Sequence, residues 1–216
     1  IRKKYFEQQS FFKELGNQKI NTNKNLEFLN FIAQKAREAS MKINTIINNF
    51  PKNTDYGILP LGLDNIATLI DADYPATVFY TSFRNNAFDT HIQQNNLHER
   101  LLTYLSDAVS GFQTDLKKIN KEDEVITMIF SEFGRRVPEN TSLGTDHGTA
   151  NHVYIVGSKV NGGHYEDVPS LDDLDDGDNL KHTTDFRKIY ATLIDNWLKS
   201  DSKKVLGKNF DKIGFI

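Results

Sequence analysis

From Leu97 to Ile119 the apolar residues Leu97, Leu101, Leu102, Leu105, Ala108, Val109, Phe112, Leu116 and Ile119 fall on one stripe at helical spacing. No other stretch constrains the fold as strongly, because so long a one-sided helix has to be covered by the rest of the chain. Weaker helical patterns surround it. Leu26, Leu29, Ile32, Ala33, Ala36, Ile43, Ile46, Ile47 and Phe50 predict a helix over 26–50, with abundant Asn loosening its ends. A turn follows over 51–57, then a second helix over about 61–70. Phe186, Ile189, Tyr190, Leu193, Ile194 and Trp197 predict a last helix over 184–198.

Three short runs read as strands. Ala76–Thr81 is bounded by Pro75 and rich in β-branched and aromatic residues. Val125–Phe130 has the continuous apolar character of a strand buried on both faces, and Val153–Val156 ends at Gly157. Strands alternating with long helices predict an α/β domain with a largely parallel sheet. Ligand-binding residues of such sheets collect beyond the carboxyl ends of the strands. There is no internal repeat and no boundary, so residues 1–216 read as one domain.

Composition narrows the function classes. The 216 residues carry a net charge of -3, with basic residues scattered among acidic ones, which argues against a nucleic-acid partner. No apolar run approaches the roughly 20 residues needed to cross a bilayer. The basic start, Ile1-Arg2-Lys3-Lys4-Tyr5-Phe6, leads into Glu7, Gln8 and Gln9, not into the apolar core of a signal. A first residue other than Met leads us to expect a segment upstream. The absence of cysteine excludes disulfides, thiolate metal sites and cysteine nucleophiles.

Three motifs carry potential chemistry. Gly144-Thr145-Asp146-His147-Gly148-Thr149 sets a hard oxygen ligand beside an imidazole. Adjacent side chains of a regular strand point apart, so joint ligation needs an irregular backbone, which the glycines permit, Gly148 allowing a tight turn. Taken alone, Asp-His-Gly is a common polar turn. In Asp89-Thr90-His91 an extended backbone would point both outer residues to one face, toward one metal or neighbouring ones; a capping Asp with a surface His is the plainer alternative. Ser131-Glu132-Phe133-Gly134-Arg135-Arg136 follows a strand, and Glu132, Arg135 and Arg136 either position an anionic substrate or form an ion pair within the loop. Ser131 lacks the preceding glycine of a nucleophile elbow. His98 falls at the start of the long helix, in a capping or surface role, while His152 and His164 are free to complete a site. The acidic run 172–178 fails as an EF-hand loop, whose third and twelfth positions would be Leu174 and Thr183.

In combination, Phe88-Asp89-Thr90-His91, the 131–136 motif and Gly144–Ala150, extended by Gly162-Gly163 and Thr183-Thr184-Asp185-Phe186-Arg187, resemble one bacterial family. It is the domain of unknown function 1501, whose members resemble alkaline phosphatases and sulfatases. The resemblance implies a doubly wound α/β fold, a twin-arginine export signal, and a place in the periplasm or cell envelope. It implies two divalent metals, with Asp89 and His91 matching a first ligand pair, Asp146 and His147 a second, and His152 or His164, with His98 as the weaker candidate, a further ligand. It also implies a nucleophile-bearing first strand, which residues 1–75 do not resemble, so the chain is expected to lack the N-terminal part of that domain.

With only oxygen and nitrogen donors, Zn²⁺ or Mn²⁺ is expected ahead of Mg²⁺ or Ca²⁺. The expected function is metal-dependent hydrolysis of a small anionic phosphate or sulfate ester, with Arg135 or Arg136 holding the anion and poor turnover without the nucleophile. The alternative is a non-catalytic cell-envelope module that binds a partner protein or a glycan.

Overall fold

The computed structural model describes residues 24–49 and 53–216; Phe50, Pro51 and the basic start lie outside the described residues. The chain divides into two compact units: the described residues up to 53 together with 68–76, and residues 54–67 together with 77–216.

In the first unit, helix α1 (Lys24–Asn49) buries no residue. It is supported along its surface, where Gln34 and Lys35 reach Glu38 at 3.0 and 2.8 Å. Lys42 lies over the Tyr74 ring, 5.7 Å from its centroid. Helix α2 (Leu63–Asp71) has its first residues, 63–67, in the second unit and the rest in the first, and it starts from a turn in which the Leu63 amide donates to Pro60 O at 2.9 Å.

The second unit is organised by helix α3 (Gln94–Lys118). Of its predicted stripe, Leu101, Ala108, Phe112 and Leu116 are buried, whereas Leu97 and Leu102 face solvent. The buried set is narrower than the sequence pattern because α3 is covered on one side. Tyr56, itself buried, donates its hydroxyl to Asp115 Oδ2 at 2.7 Å, and both burial and this carboxylate raise its pKa. Lys117 and Lys118 occupy the last turn, where cations oppose the helix dipole.

The expected doubly wound parallel sheet is not what forms. Among the described residues there are two small antiparallel pairs. Strand β1 (Thr127–Ile129) pairs with β4 (Tyr154–Val156), with Met128 opposite Ile155. Strand β2 (Gly134–Arg135) pairs with β3 (His147–Gly148). The physical reason lies in the connections. A parallel pair needs a crossover of a dozen or more residues, usually a helix. No helix separates β1 from β4; the intervening chain holds β2, β3 and loops. The 76–81 run forms no strand, and its Val78 and Tyr80 are 71% and 76% exposed. Nor is β1 buried on both faces: its residues are half-buried and Phe130 just beyond is exposed.

The last predicted helix forms as α4 (Phe186–Thr192), continuing as a π-helical turn over Leu193–Trp197 that closes with the Leu198 amide on Leu193 O at 2.9 Å. Asp195 in that turn is fixed by the Ser202 amide at 2.8 Å and by Lys212 at 2.9 Å, which joins it to helix α5 (Ser202–Leu206). Thr192, fully buried, donates to Lys188 O and accepts from the Ile213 amide, both within 2.9 Å. Replacing Leu116, which has no exposed surface, by Ala is expected to cost about 2–5 kcal/mol, measured by urea unfolding; a loss under about 1 kcal/mol would mean that α3 does not carry the core.

Asp185 caps α4 and adds a pH dependence. Its carboxylate accepts from the Arg187 amide at 2.9 Å and from the guanidinium at 2.6–3.1 Å. The Arg187 side chain, then its amide, lowers the Asp185 pKa from 3.8 to about 2. A carboxyl depressed by folding contributes stability that is present above its unfolded pKa and lost as pH falls through the folded one. Asp185→Ala is therefore expected to cost about 1 kcal/mol at neutral pH and to flatten the fall in stability between about pH 4 and 2, read from urea titrations at each pH.

Candidate metal centre

The site forms where one loop docks on the start of α3. Gln93, the N-cap of that helix, has a left-handed backbone (φ 43°) and provides no side-chain cap. The exposed helix amides are met by backbone carbonyls instead: Gln93 N donates to Ser142 O and Gln94 N to Leu143 O, each at 2.9 Å. Leu143 is also left-handed (φ 61°), which belongs to the turn that presents these carbonyls. At Gly144 the loop presses on the segment before the helix so closely that a Cβ there would overlap the His91 carbonyl. Gly134 is equally confined, by the carbonyl of Ala150.

A polar network locks this junction from the inside. Buried Gln94 donates to Thr90 Oγ1 at 2.9 Å and to Thr90 O at 3.1 Å, and its amide oxygen accepts from Thr145 Oγ1 at 2.6 Å. Arg135, half-buried, donates to Thr145 O at 2.7 Å and to Phe88 O at 2.5 Å. Burial pulls the Arg135 pKa down while Asp89 and Asp146 hold it up. The Arg135 guanidinium thus ties strand β2 to the segments that lead into Asp89 and Asp146 and is not turned outward to an anion.

Over this base three donor atoms converge. Asp89 Oδ1 lies 3.0 Å from His91 Nε2 and 2.7 Å from His147 Nε2, and the two imidazole nitrogens are 3.2 Å apart. Thr90 between the first pair points inward and is buried, so Asp89 and His91 share the outer face. His147 arrives from β3, paired opposite Arg135, and Phe133 stacks on its ring at 3.8 Å with the planes 10° apart. Asp146 approaches the other edge of His91, its Oδ1 3.3 Å from Nδ1. Gly148 serves as a strand residue against the Arg135 carbonyl, not as the tight turn expected behind the Asp-His pair.

The donor set suits a divalent cation. Zinc holds imidazole nitrogen and carboxylate oxygen at about 2.0–2.2 Å, so neighbouring donors on one tetrahedral ion stand roughly 3.3 Å apart. The observed edges of 2.7, 3.0 and 3.2 Å are close to that spacing. Two neutral imidazoles facing one carboxylate oxygen cannot both be served by hydrogen bonds among themselves without bringing two N–H groups together; one cation satisfies all three lone pairs. The nearby imidazoles of His147 and then His91 hold the Asp89 pKa below its ordinary value, and Asn140 and then His91 do the same for Asp146, so both carboxylates are ionised at neutral pH.

The remaining residues named from sequence lie apart from this cluster. Arg136 is exposed, its amide bonded to Asp146 O at 3.0 Å and its charge lowering the pKa of Asp146 and Asp175. Glu132 lines an apolar cleft of about 260 Å³ with Met128, Phe130, Val153, Phe186 and Tyr190. His152 stacks on Tyr154 at 6.2 Å, and His164 is exposed; neither joins the cluster of Asp89, His91 and His147. His98 is half-buried, edge-on to Phe88, and its pKa is lowered by burial and then by Arg135. Sequence reasoning gave Asn140 and Phe133 no role. Phe133 lay inside a motif already singled out, whereas Asn140 stands in an ordinary polar turn with no signal of its own.

Gly144→Ala is expected to cost about 1–3 kcal/mol through the overlap with His91 and to speed amide exchange at Gln93 and Gln94. Unchanged exchange at those amides would show that the carbonyl caps do not depend on this contact.

No curated protein and no solved structure matches the chain. A family model does, across residues 75–208, which span α3, both strand pairs, α4 and every residue of the cluster. On that match the chain belongs to the family described as protein of unknown function (DUF1501).

Proposed function

We propose that this chain is a metal-dependent hydrolase-like domain for small phosphate or sulfate esters, with one divalent cation held by Asp89, His91 and His147. The observation that carries the reading is the convergence of Asp89 Oδ1 with the two imidazole Nε2 atoms within 2.7–3.2 Å. Three protein ligands of mixed nitrogen and oxygen type, leaving further positions to solvent or substrate, are the pattern of catalytic zinc sites. Zn²⁺ and Mn²⁺ suit these donors better than Mg²⁺ or Ca²⁺. When bound, such an ion supplies a Lewis acid that polarises an ester oxygen.

The protein groups have separate tasks in this reading. The side chains of Asp89, His91 and His147 are 36%, 40% and 45% exposed, so a small anion reaches the ligands without any opening motion. Arg136, exposed and close enough to act on Asp146, is the guanidinium available to hold that anion. Arg135 positions the ligand-bearing segments instead, because its N–H groups are engaged by Thr145 O and Phe88 O. Phe133 covers one face of His147 and keeps its ring from turning. The commitment of Arg135 also supports the second reading, a module that binds an anionic partner at the ion without turning it over.

Zinc titration of chelator-treated protein by calorimetry is expected to give about one ion per chain, and Asp89→Ala or His147→Ala to weaken binding at least tenfold. Zinc-dependent release of p-nitrophenol from its phosphate or sulfate ester, lost with Arg136→Ala, would support the hydrolase reading. Zinc binding without release favours the binding module, and no zinc binding by a folded protein overturns both.

A further inference from the structure

The ring of His91 has two nitrogens with different neighbours. Nε2 faces Asp89 and His147, while Nδ1 faces Asp146 Oδ1 at 3.3 Å. The two nitrogens lie on opposite sides of an imidazole, so the Asp146 oxygen that meets Nδ1 is directed away from the donors gathered at Nε2. An acceptor at Nδ1 favours the tautomer protonated there and leaves the Nε2 lone pair for an ion.

Asp146 is itself held. Asn140 Nδ2 donates to Asp146 Oδ1 at 3.2 Å and to the His91 carbonyl at 3.0 Å. Its Oδ1 accepts from the amides of Ser142 and Gly144 at 2.9 and 3.1 Å. One side chain thereby closes its own loop with its oxygen and grips the ligand-bearing segment with its nitrogen. Both donor hydrogens and both acceptor positions are used, leaving no freedom for the amide to flip. The backbone adds to the hold, with Asn140 N on Gly144 O at 2.8 Å.

We infer that Asn140 is a positioning residue of the metal centre, which sets Asp146 on Nδ1 of His91 and so presents Nε2 to the cation. The inference rests on the proposed cation site and deepens it. It assigns Asp146 to the second rank of the site, orienting a ligand, in place of the ligand role that its Asp-His motif suggests. Removing such an outer partner characteristically lowers metal affinity by about 10–100-fold with the ligand set intact.

Asn140→Asp separates the two halves of the side chain. It keeps an acceptor for the Ser142 and Gly144 amides but loses the N–H donors to Asp146 and His91. Its added negative charge, taken alone, strengthens cation binding, so a loss of affinity has to come from misplaced ligands. Cadmium and zinc affinities are to be measured for the wild type, Asn140→Asp and Asn140→Ala, with ¹¹³Cd–¹⁵N coupling identifying the bound nitrogen of each histidine. The expected result is coupling to Nε2 of His91 and His147 in the wild type, with Nδ1 of His91 protonated. Both variants are expected to bind about 10–100-fold more weakly, with the Ser142 and Gly144 amide resonances kept in Asn140→Asp.

Coupling through His91 Nδ1, or a second cadmium there, would make Asp146 a ligand and overturn the inference. Undiminished affinity in Asn140→Asp would also overturn it while leaving the cation site standing. Failure of the wild type to bind either metal would remove the cation site, and the inference with it.

Discussion

Everything at the candidate centre depends on how the start of α3 is capped. A helix begins with amides that its own turns cannot satisfy, and most helices answer with a Ser, Thr, Asp or Asn side chain. Here the answer is another loop: Ser142 O and Leu143 O receive the amides of Gln93 and Gln94. That exchange fixes two segments at once. It anchors Asp89 and His91, which run directly into the helix, and it anchors the 140–146 loop, which runs directly into His147. Because these capping groups are backbone atoms, main-chain geometry helps to set the distance between the two halves of the cluster, together with the side chains of Gln94, Arg135 and Asn140.

The buried polar groups below the cluster make the arrangement single-valued. Gln94, Thr90, Thr145 and Arg135 each satisfy another member or a nearby carbonyl. A guanidinium in this half-buried place is costly to leave unpaired, so its removal would loosen both segments together. Strand β2 matters for the same reason. Two residues long, it contributes little as a sheet, yet its pairing with β3 sets Arg135 opposite His147. Local order of this kind holds side-chain geometry more tightly than a loop alone would.

Much of this was readable from residue order, and the parts that were not share a cause. The α3 stripe was legible because side-chain periodicity reports directly on which face is covered. The order of the motifs grouped Asp89, His91, Asp146 and His147, and those side chains do meet. The parallel sheet was inferred from the resemblance and from alternation, which records that strands and helices follow one another but not which strands pair. The 76–81 run shows the gap: its composition suits a strand, but among the described residues no neighbour completes its ladder. Asn140 and the carbonyl caps were invisible for a related reason. Backbone carbonyls carry no residue identity, and a polar turn looks the same whether or not something docks on it.

The roles of the two arginines follow from depth, which residue type does not reveal. Arg135 and Arg136 are consecutive and chemically identical, and either suits an anion. The extended backbone at the end of β2 separates them: Arg135, its last residue, turns inward to the carbonyls of Thr145 and Phe88, and Arg136, just beyond it, remains at the surface. The inward residue is held by the two segments that lead into Asp89 and Asp146, so it acts on the cluster through their placement. The outward one acts through its field, which already lowers the pKa of Asp146. The Arg135 guanidinium is engaged by carbonyls of the protein, whereas the Arg136 guanidinium remains exposed to solvent.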